Sequence, residues 1–206
     1  GHNLGDVVAR VREATGPIVE EYGYSVTYGG QFEAQQSASR AILLMSAFVA
    51  MVILVLLSSA FNSTRAAVLV MANLPLALIG GIVALFGAGT YRAPVISIAS
   101  MVGFVTLFGI AVRNGILLVN HYAHLMHEEG KTFDEAIVQG SMERLIPILM
   151  TALTAVLGLL PIAMALGEPG SELLAPLAIV VLGGLVTSTF LNLIVVPAGY
   201  DLLFRR

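Results

Sequence analysis

Five stretches of this chain are each long and apolar enough to cross a lipid bilayer, and that pattern leaves few folds open. They run from Ile42 to Ala60, Ala66 to Ala88, Val95 to Asn120, Leu145 to Leu166 and Leu173 to Tyr200. A hydrocarbon core of about 30 Å takes roughly 20 helical residues. Inside lipid, backbone N–H and C=O groups must bond within their own segment, so these stretches are expected as helices. Composition agrees: apolar residues make up 57% of the chain and charged residues 11%, with a mean hydropathy of +0.90. A soluble domain carries about 25% charged residues. The expected fold is mainly α, a polytopic membrane helix bundle over residues 40–206 embedded in the lipid bilayer.

Charge sets the expected orientation. Arg65, Lys131, Arg144, Arg205 and Arg206 flank one side, against Arg40 and Arg92 on the other. Cytoplasmic loops carry the excess of Lys and Arg, so the C-terminus is expected in the cytoplasm and residues 1–40 outside it. The net charge of -3 has no basic run behind it, which argues against a nucleic-acid partner. With no cysteine, disulfides and thiolate chemistry are excluded. The chain starts Gly1-His2-Asn3 without an initiator methionine or a signal-peptide pattern, as expected of a processed or engineered product or a fragment.

Residues 1–39 are different material. Leu4, Val7, Val8 and Val11 recur at helical spacing, and Gly16-Pro17 is expected to interrupt or kink that helix. Tyr24, Val26 and Tyr28 alternate as in a short half-buried strand closed by Gly29-Gly30. One helix and one strand cannot bury a core, so this piece is expected as the end of an incomplete α/β domain. Between the third and fourth spans, Thr132-Phe133-Asp134-Glu135 has the form of a capping box. It predicts an interfacial helix over 132–143 that turns into the membrane at Arg144 and Pro147.

One charge breaks the apolar pattern. Arg113 lies inside the third run, and all thirteen acids fall outside the runs. A guanidinium at membrane depth costs roughly 2.5–3.5 kcal/mol on insertion scales, so it needs a partner or a wet cavity. No carboxylate in these runs supplies one. Arg113, with Asn114 beside it, is therefore the candidate for proton coupling: a fixed cation whose bond to a carboxylate breaks and reforms as that acid gains and loses a proton. The alternative is structural, with Arg113 snorkelling to the interface or locking two helices.

Other features carry less chemistry. His121, His124 and His127 recur every three residues, which fans them around a helix so that only neighbours share a side, and interfacial roles are expected rather than metal ligation. The eight methionines are scattered, without a soft-metal pattern. Small residues at Gly80-Gly81, Ala111 with Gly115, and Gly183-Gly184 with Thr187 and Ser188 are expected to let helices approach closely. No nucleophile–base pair, phosphate-binding loop or pair of carboxylates suggests an enzyme, and no cofactor is expected.

Several blocks carry a family likeness. Tyr28-Gly29-Gly30-Gln31-Phe32-Glu33 resembles the approach to the eighth transmembrane helix of heavy-metal efflux permeases, a branch of the resistance-nodulation-division superfamily. The run from Gly109 to Val119 resembles that branch's tenth helix, and Gly140 to Ala152 the entry to its eleventh. Gly167 to Glu172 and Gly183 to Thr189 resemble the turn and helix that end the fold. The resemblance implies the C-terminal part of a much longer, proton-driven, homotrimeric permease in a Gram-negative inner membrane, joined to a periplasmic adaptor and an outer-membrane channel. Residues 1–39 would then end a periplasmic porter subdomain. It also implies acids on a fourth helix that face Arg113 and Asn114, and export of heavy-metal cations. Rival readings are an exporter of organic compounds with the same engine, or a truncated or accessory membrane protein that transports nothing itself. The acidic helix and the metal-handling porter residues are both outside the chain, so the exported ion is not legible in it.

Overall fold

The computed structural model describes residues 4–23, 26, 31–89, 97–171 and 173–205. Six helices follow in order: α1 (Leu4–Tyr22), α2 (Gln31–Ala60), α3 (Thr64–Gly89), α4 (Ile98–His127), α5 (Phe133–Met164) and α6 (Leu174–Phe204). All but α1 contain a stretch long and apolar enough to cross a membrane.

The core is built around α6, which packs against α3, α4 and α5. Small residues set the distance between helices. A Cβ at Gly80 on α3 would run into Thr187 on α6, one at Gly183 into Ala84, and one at Gly184 into Leu107 on α4. These close approaches replace the hydrophobic drive that helices lack once they are already in lipid. Thr187 adds a polar tie, its Oγ1 lying 3.4 Å from Ala77 O on α3. The remaining surface is uneven: half of α6's most apolar stretch is buried (50%), against 6% in α2 and in α5.

One end of the bundle is closed by aromatic rings. Tyr200 lies 5.2 Å from Tyr122, 6.0 Å from Phe133 and 4.6 Å from Phe204, centroid to centroid. Tyr122 OH and Ser141 Oγ share a hydrogen bond of 2.6 Å, which ties the end of α4 to the start of α5. Between these helices Gly130 takes a φ of +65°, and Lys131 N–H donates to Leu125 O at 3.1 Å. Only glycine adopts that backbone routinely.

Two expectations about the backbone need correction. The segment expected as a separate interfacial helix is the first third of α5, which runs unbroken from Phe133 to Met164 through Arg144 and Pro147. The capping box is present as predicted, with Glu135 N–H donating to Thr132 Oγ1 and Thr132 N–H to Glu135 Oε2 at 3.1 Å. Proline removes one helical donor but does not force the chain to turn, and membrane helices absorb it through neighbouring groups. Likewise α1 continues through Pro17 instead of being interrupted there. The expected N-terminal α/β piece is not shown: no strand occurs among the described residues. Of the expected strand, Val26 is described and is not extended into a sheet, while Tyr24 and Tyr28 lie outside the described residues.

Candidate functional site

Helix α4 starts at a capping box that sequence reading missed. Ser97 N–H donates to Ser100 Oγ at 2.9 Å, and Ser100 N–H donates back to Ser97 Oγ at 3.2 Å. Downstream, small residues fix how α4 is rotated. A Cβ at Gly103 would stand 3.0 Å from Leu177 O on α6, and one at Gly115 would stand 2.9 Å from Val70 Cγ1 on α3. Gly103, Leu107, Ala111, Gly115 and Leu118 thus form the buried face.

That rotation separates the two predicted residues, since neighbours on a helix point about 100° apart. Asn114 turns into the core and is 6% exposed. Arg113 turns outward and is exposed. It shares its stripe with Thr106, Gly109, Leu117 and Asn120, all exposed. Among the described residues, no carboxylate forms an ion pair with Arg113. The structure therefore does not bring Arg113 and Asn114 into one cluster; one lies on the exposed side of α4 and the other on its buried side.

The histidines do not converge either. His121 and His124 stack with centroids 6.3 Å apart. His121 Nε2 pairs with Glu143 on α5 at 2.6 Å, while His124 Nδ1 lies 3.2 Å from Glu128. No group of three or more His, Cys, Asp or Glu suited to a metal occurs among the described residues.

Sequence reading also missed two buried amides. Asn73 on α3 and Asn192 on α6 are fully buried, and Asn73 Nδ2 donates to Asn192 Oδ1 at 2.6 Å. The signal was available, because each interrupts an apolar run as Arg113 does.

An outward cation on a membrane-spanning helix, backed by a tightly packed core, suits a surface that meets another charged element. Comparison with known proteins gives this a family. The model of the AcrB/AcrD/AcrF family matches residues 1–204. The chain is 39% identical over 207 residues to the cobalt-zinc-cadmium resistance protein CzcA of Cupriavidus metallidurans, covering 100% of this chain and 19% of that protein. It is 43% identical over 184 residues to protein HelA of Legionella pneumophila, covering 89% of this chain and 17% of that one. A crystal structure of a heavy metal efflux pump matches with a TM-score of 0.76 at 38% identity, covering 100% of this chain and 20% of that one. The chain thus spans about a fifth of the length of these relatives. With the family model matched almost from end to end, the chain belongs to the AcrB/AcrD/AcrF family of resistance-nodulation-division permeases.

Proposed function

We propose that this chain forms part of the membrane engine of a proton-driven exporter of heavy-metal cations, acting as a transporter rather than an enzyme. The observation that carries the reading is Arg113: a cation exposed on a membrane-spanning helix, with no carboxylate partner among the described residues. In this reading the partner is an acidic helix of the same permease. A cation within about 4–6 Å lowers an acid's pKa by 1–3 units. Deprotonation then closes the Arg113 ion pair, and protonation releases it. Each change alters the charge between two helices in a dry setting, and the packed α3–α4–α6 core passes the movement on as a rigid body.

Metal cations are favoured as cargo because relatives of this chain bear names such as cobalt-zinc-cadmium resistance protein and cation efflux system protein. The proposed assembly is a homotrimer in the bacterial inner membrane, joined to a periplasmic adaptor and an outer-membrane channel. The C-terminus lies in the cytoplasm, and the apolar faces of α2 and α5 meet the lipid bilayer. Arg113→Ala in the complete permease is expected to lower metal export at least roughly tenfold, equivalent to ~1.4 kcal/mol in the transport step. Membrane levels of the protein should not change. Export at the parental rate would rule out the coupling role.

A further inference from the structure

The Asn73–Asn192 bond is incomplete. Two facing amides have donors and acceptors for more than one bond, yet only Asn73 Nδ2 to Asn192 Oδ1 is made, at 2.6 Å. Asn73 Oδ1 and Asn192 Nδ2 are buried without a partner among the described residues. Turning both amides over reverses the bond and again leaves one donor and one acceptor unmade. An unpaired buried polar group costs about 1–3 kcal/mol, and native interiors rarely leave one so.

The surroundings supply no obvious partner on the same two helices. Val70 and Ala77, one turn either side of Asn73, are apolar and buried. One turn before Asn192, the Ser188 hydroxyl donates to Leu185 O at 3.2 Å. Both amides are fully buried, so bulk solvent does not reach the two unmade groups.

We propose that Asn73 and Asn192 bind one internal water molecule between α3 and α6. The water accepts from Asn192 Nδ2–H and donates to Asn73 Oδ1. Buried waters sit where polar groups are otherwise unsatisfied, and two such bonds suffice to hold one. A ligand that must both donate and accept, among uncharged neighbours, is water rather than an ion. The site knits α3 and α6 together and is independent of what the permease exports.

A structure of the complete permease, at a resolution that displays ordered waters elsewhere in the membrane domain, tests this directly. The expected result is a density peak within hydrogen-bonding distance of Asn73 Oδ1 and Asn192 Nδ2. Two direct bonds between the Asn73 and Asn192 amides, or no peak beside the pair, would overturn the proposal. As a second readout, water-edited solid-state NMR on permease with labelled asparagine amides should transfer magnetisation from water to the Asn192 amide. Absence of transfer to that amide, with transfer to known hydrated asparagines intact, would overturn it as well.

Discussion

Helices α4 and α5 each present an exposed stripe along a membrane-spanning segment, and the two stripes are made of different material. On α5 it reads Met142, Ile146, Met150, Leu153, Leu157, Leu160 and Met164, large and apolar throughout. On α4 it opens with Val102 and Val105 and then reads Thr106, Gly109, Arg113, Leu117 and Asn120, with small and polar groups and one full charge. Lipid is a suitable solvent for the first and a poor one for the second. Exposure alone therefore does not identify a lipid face; chemistry along the stripe separates a face that meets acyl chains from one that meets protein.

The sharpest way to break the comparison is to put a cation where lipid is expected. Leu157→Arg on α5 should cost roughly 2.5–3.5 kcal/mol of insertion on translocon scales. The membrane-fraction yield of the complete permease should fall accordingly below that of the parent, which carries Arg113 on α4. Equal yields would mean that the α5 stripe is also covered by protein.

A smaller effect is expected from the core between the stripes. Asn73→Ala leaves the Asn192 amide unpaired and should destabilise by about 1–3 kcal/mol. A thermal melt of the detergent-solubilised permease would read it as a lower midpoint. Smaller again is Thr132→Ala at the start of α5, where loss of a capping hydroxyl typically costs ~1 kcal/mol. Hydrogen exchange should accelerate at the first turn of α5 and nowhere along α4, which has its own cap at Ser97.

What was legible in the sequence follows from which signals are local. Span length and hydropathy need no partner, so the five apolar helices could be read from the sequence, as could the Thr132–Glu135 cap. The continuity of α5 was not legible, because Pro147 in isolation signals a break while the helix in fact runs through it. The close approaches at Gly80, Gly183 and Gly184 were foreseen as a type, but their partners Thr187, Ala84 and Leu107 lie on other helices and emerge only from the fold. The division between Arg113 and Asn114 belongs to the same class. Two adjacent polar residues read as one site in a sequence, whereas the rotation that Gly103 and Gly115 impose on α4 sends one into the core and the other out.

The account rests on the α4 stripe being covered by protein in the intact permease. Spin labels at Gly109→Cys and Leu153→Cys, compared for collision with oxygen in the lipid phase, test that with Arg113 left in place. Gly109 is suited to this because nothing stands within 4 Å of a Cβ there. The label at 153 is predicted to be readily accessible to oxygen and the label at 109 to be shielded. Equal, lipid-like accessibility at both positions would contradict the account and leave Arg113 an interfacial residue without a partner helix.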